Sequence, residues 1–399
     1  MVNRINTVAI VGAGMGGLSA ALALAMDGVK VTIFEQAAQL GEVGAGLQMS
    51  PNAMKVLRHF GLEDALLEYA FVPQHACMRD FKSGEYYLKI PLGKITEDVY
   101  GAPYWHLHRA DLHKVLVSAC EKAGVKLVLG ASVSAYIEQD EQVCVALTDK
   151  SQHWADLVIG ADGIGSVVRE QMLGKEALTF MKQVAWRGII PVSALNGLNI
   201  QPDACVWVGP NRHFVSYYLR GGEFVNFVAV EERDDWQQES WRAEGDVETL
   251  KKAFSGWHPE VSELLKHAKS TFIWALNGRD ELPSWYQGRA VLLGDACHPM
   301  LPFMAQGAAM AIEDAYALSR FLVQYELPEA LERYESLRKP RATKIQNMSK
   351  ENAALYHMHG GVLGRMKLNA IKLASRLAPG VIQAKLNPVY GYDVITESR

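Results

Sequence analysis

The 399-residue sequence is short of several things, and each shortage removes a class of protein. Its five cysteines, Cys77, Cys120, Cys144, Cys205 and Cys297, are scattered with no Cys-x-x-Cys pair. That spacing argues against a disulfide framework and a zinc site, and it suits reduced thiols in a cytoplasmic protein. Neither sign of charge dominates, since 40 Lys and Arg stand against 44 Asp and Glu, so nucleic acid is not the expected partner. No stretch approaches the roughly 18 uninterrupted apolar residues of a spanning helix, so no membrane partner is expected. The chain runs into its first apolar strand at Thr7, which leaves no room for a basic and apolar signal segment. His106, His108 and His113 lack the carboxylate or cysteine spacing of a metal site, and no metal is expected.

What is present is concentrated at the start. Thr7 to Val11 read as an apolar strand, and Gly12-Ala13-Gly14-Met15-Gly16-Gly17 as a turn with glycine at its first, third and sixth positions. A small-residue helix then runs to Met26, and a second strand from Val29 ends on Glu35. Gly12 permits the tight turn, Gly14 lets the backbone approach a pyrophosphate, and Gly17 lets the helix pack closely on the sheet. The helix N-terminus offers unpaired N–H groups and a positive partial charge to phosphates. Glu35, eighteen residues past Gly17, is placed to accept hydrogen bonds from both hydroxyls of a ribose. The pattern reads as an adenine-dinucleotide site; the plain alternative is a turn of structural purpose only.

Further along, Gly41 to Asn52 is too glycine-rich for helix or strand, and Gly44 and Gly46 would let its backbone lie against a flat ligand. Arg109 precedes a helix from Leu112 to Lys122 for which Asp111 is the expected cap. A buried strand, Val125 to Leu129, leads to a hairpin of Val133 to Tyr136 and Val143 to Leu147. The strand through Ile159 ends in Gly160-Ala161-Asp162-Gly163 and returns the chain to the first sheet. Its glycine order is wrong for a second dinucleotide fingerprint, and Gly360-Gly361-x-x-Gly364 follows no strand. One fingerprint means that no second Rossmann unit holds a nicotinamide cofactor.

Between Gln183 and Leu276 the pattern changes to short alternating strands, read as a mostly antiparallel second layer. In one of them His213, Val215, Tyr217 and Leu219 share a face, as period two requires. One imidazole and one phenol among aliphatics suit an aromatic pocket with a proton-handling group; the plain alternative is an exposed histidine and a core tyrosine. The chain then re-enters the first sheet with Ala290 to Leu293, which presents Gly294-Asp295 at its C-terminal edge. A helix from Ala308 to Leu322 follows, with apolar residues at 308, 311, 312, 315, 318 and 322 and acids at 313 and 314. The cationic run Tyr334 to Arg341 reads as a solvated helix face, and Asn387 to Asp393 as irregular.

Taken together, Gly12-x-Gly14-x-x-Gly17, Gly160-Ala161-Asp162-Gly163 and Gly294-Asp295-Ala296 resemble the single-component FAD-dependent aromatic hydroxylases of the p-hydroxybenzoate hydroxylase type. Glu42-Val43-Gly44-Ala45-Gly46, His108-Arg109-Ala110-Asp111-Leu112-His113 and His298-Pro299-Met300 bring the salicylate, 3-hydroxybenzoate and 6-hydroxynicotinate monooxygenases nearest. The resemblance implies an α/β fold: a Rossmann-type FAD-binding domain over 1–180 and 277–345, an interleaved antiparallel substrate domain over 181–276, and C-terminal helices over 346–399. It implies tightly bound FAD, with NADH or NADPH visiting transiently. Gly16 and its neighbours would hold the pyrophosphate, Glu35 and Gln36 the adenosine ribose, Val133 the adenine, and Arg109 and Asp295 the linker and ribityl chain. Asp162 joins the cofactor set, while Gln48 and Ala308 would lie at the flavin ring. His213 and Tyr217 match the pocket histidine and tyrosine of these relatives.

The implied reaction hydroxylates a small hydroxylated aromatic acid with O₂, through a flavin C4a-hydroperoxide. Salicylate-like substrates lead, with or without decarboxylation, and 3-hydroxybenzoate and 6-hydroxynicotinate are the alternatives. Gln48 stands where a hydroxynicotinate relative carries His, and Pro302-Phe303 is apolar where such relatives carry Gln or His. His213, from a reference near 6.5, is the expected base for the substrate phenol, and Tyr217 the group that orients its oxygen. Phe303 and Met304 would keep water out. A non-oxygenating flavin reductase and a non-catalytic flavin-binding module are the rivals, and a homodimer is allowed. A halogenase is disfavoured because Trp186-Arg187-Gly188-Ile189-Ile190-Pro191 is the nearest string to its Trp-x-Trp-x-Ile-Pro signature.

Overall fold

The buried apolar run Val8 to Val11 forms the middle of a six-stranded sheet, as a strand covered on both faces must. The computed structural model describes residues 5–41, 46–195, 197–234, 243–358 and 361–399. In that sheet the order is Tyr286–Gln287, Ala290–Leu292, Leu157–Gly160, Thr7–Val11, Lys30–Glu35 and Lys126–Leu129. All pairs are parallel except the first hairpin. The strands on either side of Thr7–Val11 are reached by opposite turns of the chain, so a topological switch point falls beside it, at the C-terminal edge where ligands bind. Gly12 to Gly17, Ala161 to Gly163 and Gly294-Asp295 all leave the sheet at that edge.

An eight-stranded sheet stands against this layer, in the order Glu244–Gly245, Thr271–Gly278, Thr179–Pro191, Phe224–Glu232, Arg212–Leu219, Ala204–Gly209, His75–Asp80 and Tyr86–Pro91. It is antiparallel except where Ala204–Gly209 meets His75–Asp80. Alternation divides its faces. Trp207, Phe214 and Phe227 pack with Phe254, Leu264 and Leu265 from the helices Val247–Ala253 and Pro259–His267. Val206, His213, Val215, Tyr217 and Val228 face the other way, toward a cavity. The sheet is wider than the expected segment 181–276, because His75–Asp80 and Tyr86–Pro91 join it by pairing with a strand far along the chain.

Several local expectations need correction. Gly46–Met49 is a strand, paired with Trp105–His108; Gly44 and the rest of 42–45 lie outside the described residues. Gly46 is required there because a Cβ would stand 2.5 Å from the Tyr217 ring. The helix after Trp105–His108 begins at Arg109 and is capped by His108, whose Nδ1 accepts from Ala110 N–H at 3.2 Å. Asp111 instead accepts from Nε and Nη2 of Arg220, at 2.7 and 2.8 Å. The boundary at 345/346 falls inside one helix, Leu327–Tyr356, and Asn387 to Tyr390 belong to the helix Pro379–Tyr390. All five cysteines are buried and unpaired.

Candidate active site

A cavity of about 760 Å³ lies between the two sheets. Two helix N-termini open onto it. At the first, Gly14 and Gly16 line the wall and the cap residue Gly14 has no side chain to cap with; at the second, Gly307 and Ala308 line the wall and the Gln306 side chain bonds Ser50 and Asn52 instead of capping the helix. The first-turn N–H groups of both helices are therefore donors without a capping side chain, facing one space.

The glycines of the first turn differ in what surrounds them. Gly12 has φ +99, and a Cβ there would meet Ala161 O at 2.6 Å. At Gly17 a Cβ would stand 2.1 Å from Gly12 O. At Gly14 nothing lies within 4 Å, so the backbone is open to a ligand at that residue and closed behind it. Arg109, Gln48 and Asp295 also line the cavity, and Gln48 Oε1 accepts from the Tyr104 hydroxyl at 2.6 Å. Burial raises the Asp295 carboxyl, against the pull of His298 and Arg109.

Glu35, Gln36, Val133 and Asp162 stand outside the cavity wall. The Glu35 carboxylate accepts from Ala13 and Ala37 N–H, both at 2.9 Å, which fixes it at the end of its strand with lone pairs to spare. Gln36 beside it is exposed, and Val133 is buried at the start of the hairpin strand that follows. Asp162 holds Val167 N–H at 2.7 Å, while its other oxygen is buried without a hydrogen bond among the described residues.

The start of the helix Gly307–Gln324 is fixed from beneath by a buried polar network. Glu313 accepts from Asn52 at 2.6 Å, from Arg338 at 2.6 Å and from Arg341 at 2.7 and 2.8 Å. Asp314 accepts from Arg338 at 2.8 Å, from Gly294 N–H at 3.1 Å and from His298. Burial works against both carboxylates, but the guanidinium charges, with His298 at Asp314, hold Glu313 below its ordinary value and Asp314 at about 2. The run Tyr334 to Arg341 is thus not a solvated face, since Arg338 is fully buried as counter-ion to two acids. Cys297, His298 and Asp314 bring three ligand-type atoms within 4.8 Å of one another, and the Asp314 oxygens are taken by this network.

Away from the fingerprint turn the cavity wall is largely apolar, and His213, Tyr217 and Arg187 are among the polar groups on it. Leu301, Phe303, Met304, Val215, Val228 and Trp274 supply the walls. Tyr217 is 4% exposed and its phenol is pushed up by burial, so it stays protonated and can donate. Arg187 lies 3.9 Å over the Trp274 ring, and burial lowers its guanidinium only to about 10, which leaves it charged. Its Nε is buried without a hydrogen bond among the described residues. Sequence reading passed over Arg187, because an isolated arginine in a strand carries no motif.

His213 is 1% exposed, with Phe303 and Tyr356 rings 5.0 and 5.2 Å away. The expectation of a near-neutral imidazole fails: burial, and then the neighbouring His357, push it well below its ordinary value. Neutral at physiological pH, it can accept a proton in the cavity only if something stabilises or removes the charge that results.

A model of the family described as FAD binding domain matches residues 6–349. The chain belongs to that family. Pseudomonas fluorescens 6-hydroxynicotinate 3-monooxygenase is 39% identical over 358 residues, 87% of this chain and 91% of that protein. The 3-hydroxybenzoate 6-hydroxylase of Polaromonas naphthalenivorans strain CJ2 is 36% identical, covering 88% of each chain. A solved salicylate hydroxylase substrate complex is similar at a TM-score of 0.82 and 26% identity, over 99% of this chain and 97% of that one. The cavity fits FAD on its own evidence: two uncapped helix N-termini and the open face at Gly14 suit a pyrophosphate and a flat, electron-poor ring.

Proposed function

We propose that this protein is an FAD-dependent monooxygenase that hydroxylates a small hydroxylated aromatic acid, using NADH or NADPH and O₂. The observation that carries the reading is the continuity of the cavity between the sheets. It joins the cofactor edge of the Rossmann sheet to an apolar chamber holding His213, Tyr217 and Arg187. When bound, FAD accepts a hydride from the nicotinamide and activates O₂ for transfer of one oxygen atom. Gly14, Gly16, Arg109 and Asp295 would hold the pyrophosphate and ribityl chain, with Glu35 and Gln36 at the ribose, Val133 at the adenine and Asp162 beside the fingerprint turn. Gln48 and Ala308 would border the flavin ring.

The chain's own residues do the rest. Arg187, charged and half-buried, is the counter-ion for the substrate carboxylate. Tyr217 donates to the ring oxygen and His213 accepts its proton, because a phenolate ring is the better nucleophile. Phe303 and Met304 exclude water. Buried reduced thiols support a cytoplasmic location. A second copy of the chain would find an apolar stripe on the helix Gly361–Leu377.

The test is NAD(P)H consumption by the FAD-loaded protein with salicylate, 3-hydroxybenzoate or 6-hydroxynicotinate, with products identified. Catechol from salicylate is the leading outcome. A dihydroxypyridine would instead favour the pyridine reading, which the 39% relative supports. Arg187→Met should raise KM at least about tenfold for the acid that reacts. Flavin reduction without an oxygenated product from any of the three would overturn the monooxygenase reading in favour of a reductase.

A further inference from the structure

His213 is the first of three groups in line. Its Nδ1 lies 2.8 Å from Nε2 of His357, the residue that ends the helix Leu327–Tyr356. The Nδ1 of His357 lies 2.7 Å from Glu232 Oε1, at the end of the strand Phe224–Glu232. The His357 side chain is 4% exposed and that of Glu232 is 44% exposed, so the line runs from the cavity wall to solvent. Phe303 and Tyr356 pack the His213 ring, and the Gln183 amide reaches His357 only at 3.5 Å. Among the described residues, Arg212 and Arg233 lean on Glu231, which also accepts from Trp186, and Lys182 pairs with Asp234.

The chemistry of the end group sets every proton position in this line. A carboxylate only accepts, so His357 carries its proton on Nδ1; burial lowers this imidazole and keeps it neutral, which leaves a lone pair at Nε2. That lone pair can accept only from an Nδ1–H of His213. The Nε2 of His213, which has no hydrogen-bond partner among the described residues, is then a bare lone pair on a ring that lines the cavity.

We propose that His213, His357 and Glu232 form a proton relay that carries the substrate's phenolic proton from the closed cavity to solvent. The inference rests on the reading of His213 as the group that accepts this proton. The phenol O–H bond breaks as an N–H bond forms at His213 Nε2. The Nδ1 proton of His213 passes to His357 Nε2, and the Nδ1 proton of His357 passes to Glu232 and on to water. Both imidazoles end neutral in the opposite tautomer, one proton has left, and the phenolate remains. Reversal of the steps returns the proton when the product leaves. A buried imidazole that resists holding a charge can thus act as a base, because it never has to keep one. In this scheme His357 and Glu232 are positioning and relay residues and do not touch the substrate.

Two measurements on the FAD-loaded full chain test this. The first is ¹⁵N NMR of the histidine rings without substrate. Both His213 and His357 are expected as Nδ1–H tautomers, with the pattern lost in Glu232→Gln; an Nε2–H tautomer at His213 in the wild type would overturn the relay. The second follows proton release with a pH indicator in weak buffer, after anaerobic mixing with whichever of salicylate, 3-hydroxybenzoate or 6-hydroxynicotinate the enzyme hydroxylates. His357→Gln, which can still hold His213 Nδ1–H, should slow release at least about tenfold with little change in KM, and imidazole should rescue His357→Ala. Release at the wild-type rate in His357→Gln would also overturn it. Hydroxylation of none of the acids would instead remove the functional reading, and the NMR result would still decide the relay.

Discussion

Gly14 and Gly17 are three residues apart and do opposite work. The first faces open space with an ordinary φ of −74, and the second has no room for a methyl group. Gly14→Ala should therefore melt at or slightly above the wild-type temperature while losing most of its affinity for FAD. Gly17→Ala should lose about 1–3 kcal/mol of stability through overpacking. Apoprotein melting curves and flavin-fluorescence titrations separate the two, and full FAD affinity in Gly14→Ala would refute the placement of the pyrophosphate. Both glycines were legible from spacing, because the turn's geometry is local. Arg187, His357 and Glu232 were not legible: His213 and His357 are 144 positions apart, and no local pattern records a contact of that range.

Helices show a similar division. The period of the helix Gly307–Gln324 was readable, but its two acids lie fully buried against Arg338, which belongs to the run Tyr334 to Arg341 that was expected as a solvated face. Charge alone cannot tell a surface cluster from an internal one, since the difference is whether a counter-charge is packed on top. The consequence is a defined acid sensitivity. Asp314 sits at about 2 in the fold against an ordinary 3.8, so its contribution to stability is present above about pH 4 and drains away as pH falls toward 2. It amounts to on the order of 2 kcal/mol. Urea midpoints of wild type and Asp314→Asn should differ clearly at about pH 7 and converge only as the pH falls to about 2. An unchanged gap would mean that the ion network does not act as described.

At the scale of the molecule, the helix Gly361–Leu377 leaves Leu363, Met366, Leu373 and Leu377 between 58% and 77% exposed. Their spacing of three, seven and four residues puts them in one stripe along the helix. The flanks carry Arg365, Lys367 and Arg376 with no acid, so a second copy would meet this stripe with an acidic surface rather than with the same helix. Light scattering on the FAD-loaded protein should give a dimer, and Met366→Glu with Leu373→Glu a monomer. A monomeric wild type at micromolar concentration would dispose of this arrangement. No described helix is long and apolar enough to cross a membrane.

The order of apolar strands, the glycine turn and the acid after the second strand were written in the chain, because hydrophobic period and turn chemistry act over a few neighbours. From these came the Rossmann sheet, the dinucleotide edge and the alternating face that carries His213 and Tyr217. Only the tertiary structure brought Arg187 into the cavity, put Arg338 beneath the helix at Gly307 and set His357 between His213 and Glu232. Those arrangements depend on burial and on pairing between distant segments. Burial is also what changes the chemistry, turning a near-neutral imidazole into one that needs a relay to do its work.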